Sequence, residues 1–116
     1  MSRVLVVEDE PLIRMNAVDI ITESGNETIE AENADEAIRI LENRADIDFV
    51  FSDINMPGSM DGLRLLQVIH KRWPPIRLIL VSGRELQPGA ALPAGSVFIP
   101  KPYGAAEVAS ALVRAG

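Results

Sequence analysis

The side chains best suited to chemistry in this chain come directly after short apolar segments. Four such segments are rich in Val, Ile, Leu and Phe and are typical of buried β-strands. They span residues 4–7, 49–53, 78–81 and 97–100. The polar side chains at or just beyond their carboxyl ends are Glu8, Asp9, Asp53, Ser82 and Lys101. If these strands are parallel in one sheet, the polar groups meet at one edge and form a site for a divalent metal ion and a phosphoryl group.

The three carboxylates of this set require a counter-charge. At an effective dielectric constant of about 20, two carboxylates about 4 Å apart repel each other by about 4 kcal/mol. Oxygen ligands of this kind favour Mg²⁺, which also accepts phosphate oxygens. Lys101 lies between Pro100 and Pro102 rather than on a solvated helix face, so it can supply a positive charge to a phosphoryl oxygen.

Each of these residues taken alone also has a purely structural interpretation. Glu8 and Asp9 could be acids at a helix start that interact favourably with the helix dipole. Asp53 could form the turn before Pro57, and Ser82 could cap the following turn. The structural interpretation weakens when the residues are considered as one set, because strand ends of a parallel sheet lie side by side.

The composition indicates one acidic domain over residues 1–116. The chain is 47% hydrophobic, which is enough to bury a core, and its net charge is −6. This charge argues against nucleic acids and anionic membranes as partners, because both bind basic surfaces. The chain has no cysteine, and no signal peptide or long apolar stretch is visible, so we expect a soluble cytoplasmic protein.

Alternating strands and helices are predicted to position the site. The strands are predicted at residues 3–7, 27–31, 49–53, 77–81 and 97–99. The clearest helices are predicted at about residues 11–24, 34–44, 62–73 and 103–114. Apolar residues recur at near-helical spacing in the first helix, at Leu12, Met15, Val18 and Ile21. Asn33 and Glu36 resemble a capping box at the start of the second helix.

The segment 83–95 contains too many helix-breaking residues for an ordinary helix. Its glycines and prolines leave room for about one helical turn near residues 90–92, so the fourth helix is predicted to be short or irregular. The strand–helix repeat otherwise predicts an α/β fold. We expect a doubly wound five-stranded parallel sheet with helices on both faces.

The polar residues also form short motifs in a fixed order. The motifs are VVEDE at 6–10, DINMP at 53–57, DG at 61–62, SG at 82–83 and KP at 101–102. This ordered set resembles the receiver domain of two-component response regulators, of the stand-alone type, and it covers nearly the whole chain. The resemblance implies a flavodoxin-like sheet with the strand order 2-1-3-4-5.

The resemblance implies a phosphorylation site that depends on Mg²⁺. Asp53 would accept a phosphoryl group from the phosphohistidine of a sensor histidine kinase or phosphotransfer protein, or from a small acyl phosphate. Asp9 and Asp53 would bind Mg²⁺ directly, together with the backbone carbonyl of Asn55. Glu8 would act on the metal ion through water.

The resemblance also implies how phosphorylation is transmitted. Ser82 would bond the phosphoryl oxygen after transfer, Lys101 would neutralise that oxygen, and Phe98 falls at the position of the family's switch aromatic. We expect a switched surface in residues 83–104 that binds a downstream protein rather than DNA. The chain is expected not to be an enzyme, since it would catalyse only its own phosphoryl transfer and dephosphorylation.

Two features depart from the usual pattern of this family. The family usually has one fewer residue between the acceptor and the Asp61-Gly62 pair, so the segment containing residues 58–60 is longer here. The glycines and prolines of residues 83–95 replace an ordinary fourth helix.

Two other functions would use similar residues. A Mg²⁺-dependent aspartyl-phosphate phosphatase or phosphotransferase would need a general acid two residues beyond Asp53, where Asn55 stands, and turnover of a phosphomonoester would favour it. A flavin or nucleotide module would need a Gly-rich or Ser/Thr-rich phosphate loop after the first strand, where the chain has residues 8–10, Glu-Asp-Glu. A yellow colour on purification would favour the flavin module.

Overall fold

Five strands and four helices alternate in the part of the chain that the computed structural model describes, residues 2–54, 61–83 and 92–115. The strands are β1 Arg3–Val7, β2 Glu27–Ala31, β3 Phe49–Asp53, β4 Arg77–Ser82 and β5 Val97–Pro100. The helices are α1 Pro11–Glu23, α2 Ala34–Asn43, α3 Gly62–Arg72 and α4 Ala105–Ala115. The elements agree with the predictions within one or two residues. No helix in these ranges is long and apolar enough to cross a membrane.

The five strands form one parallel sheet in the order β2-β1-β3-β4-β5. The predicted flavodoxin-like order is therefore confirmed. In the register of the sheet, Val7 pairs with Ser52, Asp53 pairs with Val81, and Ser82 pairs with Pro100. This register brings the carboxyl ends of β1, β3, β4 and β5 to the same edge. The predicted fourth helix lies largely outside the described residues, which omit 84–91.

Helices cover both faces of the sheet, and alternate residues of each strand point to opposite faces. Residues such as Leu5, Val50 and Leu80 pack on one side against the buried residues of α2 and α3. Residues such as Phe51 and Ile79 pack on the other side against α1 and α4. Two cores of this kind explain the nearly continuous apolar runs in the strands, and they hold the strand ends in fixed positions.

Polar side chains cap the helices that lead away from the sheet. The side chain of Asn33 accepts a hydrogen bond from the backbone N–H of Glu36 at 2.8 Å, which agrees with the predicted cap of α2. Asp61 caps α3 in the same way, by accepting from the N–H of Arg64 at 2.8 Å. Gly25 follows the end of α1 with a φ of 91°, a conformation that favours glycine.

The apolar spacing in α1 was a poor guide to its buried face. Leu12 and Met15 have relative exposures of 72% and 56%, whereas Ala17 and Ile21 are buried against the sheet. An α-helix turns by about 100° per residue, so a repeat of every third residue moves steadily around the helix. Leu12 and Ile21 therefore lie on opposite sides of α1, and the amino-terminal turn of this helix presents apolar side chains to the surface.

Candidate functional site

Acidic side chains and a lysine lie together at the carboxyl edge of the sheet. One carboxylate oxygen each from Glu8, Asp9 and Asp53 lies within 4.8 Å of the other two. The Nζ atom of Lys101 donates to Asp53 Oδ2 at 2.8 Å and to Glu8 Oε1 at 2.9 Å. The Glu8 and Asp53 side chains are buried, and Asp9 is exposed on the outer side of the cluster. The edge thus carries three acids, and the ammonium group of Lys101 joins two of them, Glu8 and Asp53.

The ionisation of this cluster reflects its burial and its close charges. Burial raises the pKa of Glu8 to about 7, and the hydrogen bond from Lys101 only partly opposes this rise. Burial lowers the pKa of Lys101, but its hydrogen bonds to Asp53 and Glu8 outweigh that effect and the net change is upward. Lys101 is therefore charged at neutral pH, and Glu8 is poised between its two protonation states.

The donor atoms fit a hard divalent cation. Three carboxylates and one ammonium group leave an excess of negative charge when all the acids are ionised, and the ligands are all oxygens. Asp9, on the exposed side of the cluster, leaves room for water or phosphate oxygens to complete a coordination shell. The acidic pocket is therefore able to bind a metal ion.

Local contacts fix the position of Lys101 beside the end of β4. The N–H of Lys101 donates to the carbonyl of Ser82 at 2.8 Å, which ties the end of β5 to β4. The Lys101–Pro102 peptide is cis, and the Tyr103 ring that follows packs edge-on against Phe51 with ring centroids 5.5 Å apart. These contacts hold the lysine close to the carboxylates.

Gly62 lies directly against the end of β3. Its N–H donates to the carbonyl of Ile54 at 2.7 Å, and a Cβ atom at this position would lie 1.7 Å from the carbonyl oxygen of Asp53. Only glycine allows α3 to begin so close to the strand. The Asp61-Gly62 motif therefore has a structural reason, because it begins a capped helix in direct contact with the peptide group of Asp53.

The remaining predicted site residues lie in different surroundings. Ser82 is buried at the end of β4. Phe98 lies on β5 opposite Leu80 and packs, half-buried, against the core beside α2 and α3. Asn55 lies outside the described residues, so the predicted role of its carbonyl stays a prediction.

Arg14 contacts the site and was not identified from the sequence. Its Nη1 atom donates to the backbone carbonyl of Glu8 at 2.8 Å, and its Nε donates to Glu30 Oε1 at 3.0 Å. The only sequence signal is an arginine in the first turns of a helix that follows an acidic pair. That signal is weak, because such an arginine more often faces solvent.

A doubly wound parallel sheet with buried carboxylates and a lysine at its carboxyl edge defines a receiver-type α/β domain. The model of the response regulator receiver domain family matches residues 4–113, and the chain belongs to this family. The sensor kinase CckA of Brucella abortus shares 38% sequence identity with this chain over an alignment that covers 94% of the chain. A protein-glutamate methylesterase/protein-glutamine glutaminase of Archaeoglobus fulgidus shares 40% sequence identity over an alignment that covers 97% of this chain.

Solved structures agree with this assignment. The response regulator protein TrrA of Thermotoga maritima, crystallised in complex with Mg²⁺ and BeF, superposes with a TM-score of 0.89 at 29% identity, and each chain is covered completely. The chain spans 12% of the length of the Brucella kinase and 34% of the length of the Archaeoglobus protein. The similarity therefore concerns the receiver domain of these larger proteins.

Proposed function

We propose that this receiver domain accepts a phosphoryl group on Asp53 in a reaction that depends on Mg²⁺, and that the modification switches a protein-binding surface. The observation that carries the proposal is the contact of Lys101 with both Asp53 and Glu8 inside the acidic cluster. A lysine in this position has no role in core packing. It compensates the carboxylates at rest and is within reach of a phosphoryl group added to Asp53.

The chain offers a complete set of groups for the transfer. Glu8, Asp9 and Asp53, with the carbonyl of Asn55, would hold Mg²⁺, Glu8 through water. When bound, the metal ion neutralises carboxylate and phosphoryl oxygens. Phosphoryl transfer depends mainly on positioning and on charge compensation, which a fixed lysine and a buried site supply.

The transfer forms one bond and breaks one. A carboxylate oxygen of Asp53 attacks the phosphorus of a phosphohistidine, the P–N bond breaks, and the electron pair leaves with the histidine nitrogen. The product on Asp53 is an acyl phosphate. Lys101 then lies against its negative charge, and the Ser82 hydroxyl donates to a phosphoryl oxygen.

The surface beside the site favours a protein as phosphoryl donor. A cavity of about 470 Å³ lies between the amino-terminal turn of α1 and the residues after β5, and its lining includes Leu12, Ile13, Lys101 and Tyr103. Lys101 lines this cavity and also contacts Asp53, so the cavity adjoins the proposed acceptor site. Exposed apolar side chains next to an acidic site suit a sensor histidine kinase or a phosphotransfer protein, which carries its phosphohistidine on a folded domain.

The output of the switch is proposed to be a protein contact. Ser82 directly precedes the segment 83–104 and Lys101 lies within it, so a phosphoryl group that draws both toward Asp53 would change this segment, of which residues 84–91 lie outside the described residues. The acidic charge of the chain opposes DNA binding. We further propose that the chain turns over no separate substrate, and that its only chemistry is its own phosphorylation and dephosphorylation.

Intact-mass measurement after treatment with acetyl phosphate tests the proposal. One phosphoryl group should add in the presence of Mg²⁺, hydroxylamine should remove it, and Asp53→Asn should accept none. Asp19→Asn is the matched control, because Asp19 is an exposed carboxylate on α1. An adduct that persists in Asp53→Asn would exclude Asp53 as the acceptor, and turnover of a phosphomonoester would favour the enzyme alternative.

A further inference from the structure

We propose that Arg14 is a positioning residue for the metal site, and that Glu30 holds it in place. The inference rests on the proposed function, because it concerns the binding of the metal ion at that site. Arg14 touches neither the acceptor nor the phosphoryl group. It acts through the peptide group that joins Glu8 to Asp9.

Arg14 links this peptide to strand β2. Its guanidinium donates to the carbonyl of Glu8 at 2.8 Å, and its other contact, at 3.0 Å, is to the carboxylate of Glu30 on β2. The Arg14 side chain is only 14% exposed, although its partner Glu30 is 53% exposed. A guanidinium with fixed donors on two partners has little freedom to turn away.

The position of this peptide controls both carboxylates. The peptide group is planar, so the carbonyl of Glu8 and the N–H of Asp9 move together. The N–H of Glu8 donates to the carbonyl of Ala31 at 3.1 Å, which ties the same residue to the end of β2. Arg14 supplies the second attachment, on the other side of Glu8. Together the two bonds fix the direction in which Glu8 and Asp9 leave the backbone.

The charge of Arg14 works in the opposite direction to this geometric effect. A guanidinium next to the acidic pair repels a bound cation, so electrostatics alone predicts tighter Mg²⁺ binding when Arg14 is neutralised. Loss of the attachment instead loosens two ligands and weakens binding. The two explanations therefore predict changes of opposite sign in the same measurement.

Calorimetric titration of the apo protein with Mg²⁺, at a pH well above the pKa of Glu8, separates them. In Arg14→Met the Mg²⁺ Kd should rise about tenfold, which is the scale found when the partner of a metal ligand is removed. Arg14→Lys should retain part of the affinity, because an ammonium group can still donate a hydrogen bond but does not reproduce the simultaneous contacts of the guanidinium with Glu8 and Glu30. Arg39→Met is the matched control, since it removes an exposed arginine on α2, and its Kd should be unchanged.

The role of Glu30 is tested by a double-mutant cycle. Glu30→Ala should weaken Mg²⁺ binding when Arg14 is present and have little further effect in the Arg14→Met background. Glu32→Ala removes a neighbouring exposed acid and controls for the change in charge. Additive effects of Glu30→Ala and Arg14→Met would show that Glu30 acts by its charge and not through Arg14.

The outcomes distinguish this inference from the proposed function. A folded Arg14→Met protein that binds Mg²⁺ as tightly as the wild type, or more tightly, would overturn the inference and leave the metal site intact. Thermal unfolding of each variant reports whether it is folded, and Arg14→Lys provides the same comparison if Arg14→Met does not fold. Wild-type protein that binds no Mg²⁺ and accepts no phosphoryl group would refute the proposed function itself.

Discussion

Replacement of Lys101 by methionine is the most direct test of the electrostatics of the site. Lys101, Glu8 and Asp53 have side-chain exposures of 19%, 6% and 8%, so the ion pairs that they form are largely removed from water. Methionine has a similar length and no charge. The variant should leave two buried carboxylates facing each other without the cation that joins them.

The size of the effect follows from the two contacts. At an effective dielectric constant of about 20, charges 2.8 and 2.9 Å apart attract by about 6 kcal/mol each. The cost of removing the lysine from water offsets much of this attraction, and breaking a buried ion pair typically costs about 3–5 kcal/mol. Glu8 can take up a proton in the variant, which relieves part of the repulsion. We therefore expect Lys101→Met to lose about 3 kcal/mol of unfolding free energy at neutral pH without Mg²⁺.

The deficit should depend on pH in a defined direction. The folded pKa of Glu8, about 7, is above its ordinary value of 4.5. Between these values the native state holds more protons than the unfolded state, so its stability falls as pH rises through this window. Loss of Lys101 removes a contact that lowers the pKa of Glu8, so in the variant the fall in stability should continue to higher pH. The gap between the two proteins should be large above pH 7 and shrink toward pH 5.

Urea unfolding followed by the fluorescence of Trp73 measures this gap. The experiment compares wild type and Lys101→Met in EDTA and in Mg²⁺, at several pH values. Mg²⁺ should restore part of the lost stability, since a bound divalent ion replaces the missing cation. Lys71→Met is the matched control, because Lys71 is exposed on α3, and it should change stability little. Equal stability of Lys101→Met and wild type in EDTA, or a deficit independent of pH, would refute this account of the site.

Three further predictions follow from the geometry. Gly62→Ala should destabilise the fold by about 4 kcal/mol or more in urea unfolding, because the added Cβ would overlap the backbone of Asp53. Gly83→Ala should be tolerated, since the nearest atom to its Cβ would be 4.0 Å away. Similar unfolding midpoints for the two variants would contradict the close approach of Gly62 to Asp53. Mg²⁺ at 100 times its Kd should stabilise the wild type by about 2.7 kcal/mol, and Asp9→Ala should abolish this gain while Asp19→Ala retains it; an unchanged gain in Asp9→Ala would argue against direct ligation. Beryllofluoride with Mg²⁺ should change hydrogen exchange most in residues 83–104, and changes confined to the neighbourhood of the acceptor would contradict the proposed output surface.

The arrangement of the strands and the acidic cluster could be predicted from the sequence. Four of the five strands are short apolar runs, and parallel strands necessarily bring their carboxyl ends to one edge. The acids after β1 and at the end of β3 therefore lie together without knowledge of any contact. The position of Lys101 followed from the same argument, because β5 lies beside β4.

Features that depend on packing could not be predicted in this way. The buried face of α1 does not follow from its apolar spacing, because a repeat of three residues is close to the helical period but does not equal it. The contact of Arg14 with Glu8 depends on how α1 is placed against β2, which no local pattern encodes. The need for glycine at position 62 appears only when α3 lies against the end of β3.

The backbone of Ile54 links the end of β3 to β4 and to the start of α3. The N–H of Ile54 donates to the carbonyl of Val81 at 2.9 Å, and its own carbonyl accepts from the N–H of Gly62 at 2.7 Å, so Ile54 and Gly62 are joined directly. Lengthening a segment whose ends are already joined adds only a few tenths of a kcal/mol of closure entropy per residue. For protein engineering, the sequence between Asn55 and Asp61 is a position where length and composition can be varied, with Asn55 kept for its proposed role at the metal ion, because Ile54 and Gly62 are joined independently of it.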